Sequence, residues 1–584
     1  MKELFYTSEY NHLILIALLK EYGIRKVIAS PGGTNVTFIG SLQQDPFFEI
    51  YSCVDERSAS YMACGLSEAS GEPVIINCTG ATSSRNYMPG LTEAYYRKLP
   101  IIAITSSQDN NRIGHLQPQI TDRSTPPSDT VINSYHLQTI KDDEDKWDCY
   151  IKVNKALHDI SKLGGGPVHI NLTTTYSTDY SVKELPHIHK IHYYNNLKNL
   201  PNITQNRIGI FVGAHHKWDT KLTEEVDAFC EKYNAVVLCD HTSNYKGKYK
   251  VLSSLAGLQK KVKIELLDFD LIIHIGEISG GYEAFTFRTK EVWRVNEDGM
   301  IRDQFFCLSR VFALSEIDFF EYYSKKDENR EFTQYEEWNL INEKLYKAIP
   351  ELPFSNIWIA QHLSKHLPAN STVYLGILSS LRSWNFFELD PSIDVYCNTG
   401  GFGIEGMVSS LVGASLVNKD KIHYGFLGDL SVFYDLNILG NRHIGNNIRI
   451  MVINNGKGME FRLINHSGSV FGDDTDKYIA AAGHNGNKSH EVLKQFVTSL
   501  GYKYLSASTK EEFNNNITEF TSAQLSDQPI VFEIFTDTIS ETTALQRLEE
   551  VIVDEKYVAK RKVSKMTEAI FGKKIKDKIK EIVK

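Results

Sequence analysis

No uninterrupted apolar run in the 584 residues approaches the ~20 that a membrane-spanning helix needs, which sets aside an integral membrane protein. Cysteine is scarce and scattered. The eight lie at positions 53, 64, 78, 149, 230, 239, 307 and 397, with no Cys-x-x-Cys among them. That spacing offers neither a disulfide framework nor a zinc site, and reduced core thiols in a cytoplasmic protein are expected. Positive charge is not in excess: 63 Lys and Arg face 72 Asp and Glu, a net charge of −9, so generic nucleic-acid binding is not expected. The opening stretch MKELFYTSEYNHLILIALLKEYG mixes charged and apolar residues at helical spacing and lacks a small-residue cleavage site. It is expected not to be a signal peptide. What is present is an ordinary soluble composition, 42% hydrophobic and 23% charged, in a chain long enough for roughly three or four domains.

Apolar runs alternate with helical patterns along almost the whole length. Runs ending at Ser30, Cys78 and Thr105 read as parallel strands, with helices after Glu56 and around 86–97. A polar stretch with Pro186 and Pro201 reads as a linker. Beyond it, Ile208–Val212, Ala235–Cys239, Leu271–Ile275 and Val292–Val295 read as strands, and a third α/β segment follows Pro350. The expected fold class is α/β, with three successive doubly wound parallel-sheet domains at 1–182, 206–348 and 349–545. A linker at 183–205 and a C-terminal helical extension at 546–584 complete it. The terminal stretch 560–584 carries ten basic residues against three acids, with Ile575, Ile579 and Ile582 on one helical face. It reads as a packed or solvated helix, with weak attraction to an anionic surface as the alternative.

The strongest local signal is Gly428-Asp429-Leu430-Ser431 followed by Asn454-Asn455-Gly456. An apolar strand ends at Gly428, a helix is expected from near Ser431, and a second strand ends at the Asn pair. Carboxyl ends of parallel strands share one crevice, where ligands bind in such sheets. Asp429 and Asn455 are hard oxygen donors, and a helix start faces anions. The combination reads as a Mg²⁺–diphosphate anchor. The null alternative is an ordinary β-α-β unit with an incidental Asp. A second element lies far upstream in YSCVDERSASYMACGLSEASGEPVIINCTGAT, where Asp55-Glu56 precedes a small-residue helix, an apolar strand and a Gly/Thr loop. Alone, these acids read as helix caps.

Together the two elements resemble the signature of thiamine-diphosphate enzymes of the decarboxylase and acetolactate-synthase superfamily, Gly-Asp-Gly, a spacer, then Asn-Asn. Leu430 in place of the third Gly is the form of the menaquinone-pathway synthase branch (MenD-like, SEPHCHC synthase). The 23-residue spacer 431–453 sits at or just below the short end of the range. The resemblance covers nearly the whole chain and implies pyrimidine-binding, central and diphosphate-binding domains in that order. It implies that Glu56 activates the cofactor by hydrogen-bonding the distant pyrimidine nitrogen, and that Asp429, Asn455 and the Lys457 carbonyl hold Mg²⁺. Gly80, Asn86, Gly401, Gly403, Gly428, Leu430, Ser431 and Met459 fall at cofactor positions. Ile404 in NTGGFGIEG falls at the apolar wedge that bends the cofactor, a proximity effect. SPGGTN at 30–35 matches the first-strand loop, placing Gly33, Thr34 and Asn35 near substrate, with Arg382, Thr399 and Phe461. Gln117 matches a Gln facing the reacting centre, with Gln119 competing for that place. Glu460 or His115 is the candidate proton shuttle.

The substrate pocket departs from that branch, whose enzymes join 2-oxoglutarate to isochorismate. Where its arginines and lysine stand, this chain has Thr34, Gln108, Thr399 and Tyr282-Glu283, and only Arg382 remains. Losing charge-assisted contacts leaves a di- or tricarboxylate poorly held. The reading at this level is a decarboxylase or carboligase for a pyruvate-like 2-oxo acid, with a carbonyl acceptor such as a sugar. A true menaquinone-type synthase and a non-catalytic cofactor-binding scaffold are the alternatives, and Glu56 argues against the scaffold. His187, His189 and His192 read as solvated linker residues. His215-His216 follow a strand where some relatives bind flavin, but no Gly-x-Gly-x-x-Gly is present, so no FAD is expected. The resemblance also implies a homodimer or dimer of dimers, with sites shared between the first domain of one subunit and the third domain of another.

Overall fold

The computed structural model describes residues 4–281, 286–327, 330–331, 333–463, 466–484 and 489–562. Tyr282-Glu283 and the basic stretch 563–584 lie outside the described residues. The architecture is α/β, built on three large sheets and a two-stranded one, and the chain clusters into two compact units. Residues 1–193 with 301–311 form one, and 194–300 with 312–584 form the other. None of the eight cysteines is in a disulfide. Among the described residues, no helix is long and apolar enough to cross a membrane.

The first unit carries a six-stranded sheet. Its spatial order is Glu49–Ser52, Lys26–Ala29, Val74–Thr79, Ile101–Ser107, Val168–Thr173, Ser134–Leu137, with every pairing parallel. The three central strands are buried at every position, which is why they read as continuous apolar runs. The strand order reverses between Lys26–Ala29 and Val74–Thr79, so the loops leaving those two strands border the crevice where such sheets bind ligands. Helix Glu56–Ser70 is capped by Asp55, whose carboxylate accepts from Ser58 N at 2.8 Å, and stops at Gly71 in the left-handed region (φ +70°).

That helix crosses helix Met88–Arg97 at unusually short range, and its run of Ser, Ala and Gly permits this. A Cβ on Gly90 would collide with the Ser60 side chain and stand 2.8 Å from the Ser60 backbone carbon. Backbone cannot yield as a flexible side chain does. Gly90→Ala is therefore expected to destabilise the fold by about 1–3 kcal/mol, despite the better helix propensity of Ala. Urea denaturation measures it, and an unchanged midpoint would contradict the close packing.

The second unit holds two large sheets and a two-stranded one, Asp268–Phe269 with Arg288–Thr289. The first contains, in order, Lys250–Leu252, Ala235–Cys239, Ile208–Val212, Leu271–Ile275 and Val292–Val295, all paired in parallel. These include the four runs read as strands from the sequence. The second runs Asp394–Tyr396, Thr372–Leu375, His423–Gly428, Ile448–Asn454, Ile530–Phe535, Lys503–Ala507, again wholly parallel. Its strand order repeats that of the first unit's sheet, position for position. The stretch expected as linker carries a short strand, His192–Tyr194. The helix expected from near Ser431 begins two residues earlier, at Asp429, and spans only Asp429–Tyr434.

Candidate functional site

In the second unit the His423–Gly428 and Ile448–Asn454 strands lie side by side, with Gly428 opposite Ile453. Their ends therefore deliver Asp429 and Asn455 to one place. Asp429 is 2% exposed, and burial pushes its carboxyl up to about 7. It accepts from Gly456 N at 3.2 Å, and no cationic side chain pairs with it among the described residues. Asn455 Oδ1 is buried without a hydrogen-bond partner. A buried carboxylate beside an orphaned carbonyl oxygen is costly as it stands and is resolved by a hard cation. The Lys457 ammonium cannot serve, being ion-paired with Asp476 at 2.5 Å, which leaves the Lys457 carbonyl as the group to offer. Among the described residues no cluster of three His, Cys, Asp or Glu forms a metal cage. A cation at Asp429 would thus depend on oxygens from a second ligand, as Mg²⁺ with a diphosphate does. Next door, Asn454 Nδ2 donates to the buried Glu533 at 2.6 Å and holds the strand end in place.

Ser431 does not offer its hydroxyl to an anion. Its Oγ donates to the Ile404 carbonyl at 2.5 Å, tying the 398–406 loop to the anchor. That bond positions Ile404, which is half-buried, while Gly401 is exposed with open space where a Cβ would be. Gly403 is hemmed in by the Glu405 carboxylate. Thr399 is buried, and so is Met459 behind the anchor loop. Leu378 adopts φ +69°, a strained conformation for a branched residue, at the turn into helix Ser379–Trp384. Arg382 on that helix donates from Nη2 to Glu460 Oε1 at 2.8 Å, with Ser379 Oγ 3.4 Å from Oε2. The pair borders a cavity of about 310 Å³ whose walls include Asn385, Phe386, His466 and Leu545. Phe461 stacks edge-on against His466 behind it, with ring centroids 5.1 Å apart.

In the first unit, Glu56 opens its helix, and its Oε2 accepts from Asn86 Nδ2 at 3.1 Å. Helix capping falls to Asp55, so the Glu56 carboxylate is free of that duty. Gly80 packs on the Arg123 guanidinium, which would collide with any Cβ there, and Ala81 is held at φ +63°. The 30–35 loop is locked from beneath. Thr34 Oγ1 donates to the Ser106 carbonyl at 2.5 Å, and Asn35 Nδ2 to the Ser30 carbonyl and Asn77 Oδ1, both at 2.9 Å. Thr34 and Asn35 are thus buried and tied into the framework, and of the three only Gly33 stays exposed. Gln117 and His115 lie on the exposed segment after strand Ile101–Ser107.

Two arginines escaped the sequence reading. Arg112 Nη1 donates to Gln108 Oε1 at 2.6 Å and to Gln117 Oε1 at 3.1 Å, so a guanidinium stands where only two amides were expected. Arg123 lies buried under Gly80. Both follow strand Ile101–Ser107, within a loop whose path periodicity does not reveal; the four-residue spacing of Gln108 and Arg112 is the one available hint.

A family model described as thiamine pyrophosphate enzyme, N-terminal TPP binding domain, matches residues 12–125. Among curated proteins, the 2-succinyl-5-enolpyruvyl-6-hydroxy-3-cyclohexene-1-carboxylate synthase of Bacteroides fragilis is 27% identical over 553 residues, covering 91% of this chain and 97% of its own. Its namesake in Bacteroides thetaiotaomicron is 28% identical over 559 residues, with the same coverage. That of Flavobacterium johnsoniae is 27% identical over 556 residues, again at 91% and 97%. Among solved structures, a Rhodococcus jostii thiamine diphosphate-dependent 4-hydroxybenzoylformate decarboxylase covers 90% of this chain and 99% of its own, at 16% identity. Its TM-score of 0.37 is too low to bear on function.

Proposed function

We propose that this thiamine-diphosphate-dependent enzyme, similar along nine-tenths of its length to synthases of the menaquinone branch, is a Mg²⁺-requiring 2-oxo acid decarboxylase and carboligase. The observation that carries it is the anchor: a buried Asp429 without a countercharge beside the orphaned Asn455 oxygen. Asp429, Asn455 and the Lys457 carbonyl would hold the cation, Glu56 the aminopyrimidine. When bound, thiamine diphosphate supplies the electron sink for decarboxylation and carbon–carbon bond formation. The protein's share is orientation and proton placement. By the resemblance, Glu56 and Asp429 serve one site only across a homodimer, which is part of the proposal.

The first reaction to test is the one in the relatives' name. The sequence reading set it aside because the pocket looked stripped of arginine. Arg112, bonded to Gln108 and Gln117, weakens that objection, and the full-length similarity counts against it. The second reading, a less acidic acceptor, rests on one observation: Arg382 is already neutralised by Glu460. Incubation with Mg²⁺, thiamine diphosphate and 2-oxoglutarate, with and without isochorismate, is compared with pyruvate and sugar acceptors. Coupling of 2-oxoglutarate to isochorismate is expected. Turnover of pyruvate with none of 2-oxoglutarate would transfer the proposal to the second reading.

The ion pair also recasts Glu460. Its role here is to restrain Arg382. Glu460→Gln is then expected to lower KM for an acidic substrate about tenfold, about 1.4 kcal/mol, with kcat little changed. A collapse of kcat at unchanged KM would restore the proton-shuttle role.

A further inference from the structure

Arg123 is 6% exposed, yet it has no carboxylate partner among the described residues. Nη2 donates to Asn171 Oδ1, a neutral acceptor, while Nε and Nη1 are buried without any. The adjacent Asp122 carboxylate is committed elsewhere, accepting from Ser124 N at 3.0 Å and Ser124 Oγ at 2.5 Å. Leaving a buried cation unpaired costs several kcal/mol, and the burial draws the Arg123 guanidinium down to about 10.

The guanidinium borders a cavity of about 20 Å³, room for one small ion or water. A second cation, Arg85, lines the same space, its Nη2 donating to the Asp122 carbonyl at 2.7 Å. The opposite wall is Thr105 and His169. The His169 ring is neutral, held near 3 by burial, and is bonded to Thr105 Oγ1 at 2.7 Å and Ser134 Oγ at 2.8 Å. Two cations, unused donors, a space for one monatomic species and, among the described lining residues, no anionic side chain together describe half of an ion pair, the nearby Asp122 carboxylate acting on the two guanidiniums only through space. Water fills the space but cannot neutralise it.

We propose that the first unit contains a structural site for a small monovalent anion, occupied by chloride, between Arg123, Arg85 and the Thr105–His169 edge of the sheet. Because Arg123 supports Gly80, the ion braces the turn after strand Val74–Thr79. The proposal does not depend on which reaction the enzyme performs.

Thermal unfolding of the full-length protein is followed in chloride against gluconate at constant ionic strength, and crystals are soaked in bromide. Expected are a saturable rise in Tm of several degrees with chloride but not gluconate, its loss in Arg123→Gln, and an anomalous bromide peak within contact distance of Arg123. If Arg123→Gln does not fold, the wild-type titration and the bromide peak decide. Equal Tm in both salts overturns the proposal, as does a cavity holding only water. A bromide peak with no saturable solution effect marks an adventitious ion only, and overturns it as well.

Discussion

Glu56→Gln is expected to leave a folded protein that still takes up thiamine diphosphate, with turnover lowered on the order of 10²–10⁴-fold. Geometry separates this outcome from a structural one. Capping of helix Glu56–Ser70 rests on Asp55, and the Glu56 carboxylate instead meets Asn86 Nδ2 at 3.1 Å. Losing its charge in the first helical turn costs only about 0.3–1 kcal/mol through the helix dipole. The amide can still accept from Asn86, so the local arrangement survives. What it loses is the capacity to hold a proton at the pyrimidine-facing oxygen. The checks are steady-state turnover together with the Tm rise on adding cofactor. A variant with wild-type turnover would remove Glu56 from the site. One that no longer binds cofactor would make it a binding residue rather than an activating one.

Much of this was legible in the sequence, for identifiable reasons. Ile208–Val212 and its counterparts are buried on both faces, so they appear as unbroken apolar runs that local reading detects. The Asp429 and Asn455 anchor is also local, since each residue simply follows the end of its own strand. Strand order was not legible, because pairing joins segments far apart, and the shared order of the first and last sheets appears only in three dimensions. The burial of Thr34 and Asn35 was hidden for the same reason. Their polar side chains look available until Ser106 and Asn77, on neighbouring strands, are seen to claim them. Arg112 and Arg123 matter through partners that a long loop brings near. The charge near a site is set by what folds into the neighbourhood, and matching positions along the chain does not reveal it.

Asp429→Asn is expected to act in opposite directions on the two states of the protein. Without ligands, the wild-type carboxyl is buried and drawn up to about 7 by desolvation. A folded-state value above the unfolded one means the folded protein holds the proton more tightly. The stability penalty is absent below the ordinary value near ~4 and grows as pH rises through 7. Above that it is on the order of 4 kcal/mol, as a three-unit shift implies. The amide carries no such penalty and keeps an acceptor for Gly456 N, so the ligand-free variant should melt higher than wild type at pH 8 and equal to it in acid. With Mg²⁺ and thiamine diphosphate the order reverses. The neutral oxygen is a far weaker ligand for a hard dication, so the cofactor-induced rise in Tm, and turnover with it, should vanish. One set of melting curves with and without ligands, at two pH values, tests both halves. A ligand-free variant less stable than wild type would mean that an unseen partner satisfies Asp429. A variant that still gains stability from Mg²⁺ and cofactor would place the metal elsewhere. The same residue thus weakens the empty fold and secures the loaded one, which is what a carboxylate reserved for a cation should do.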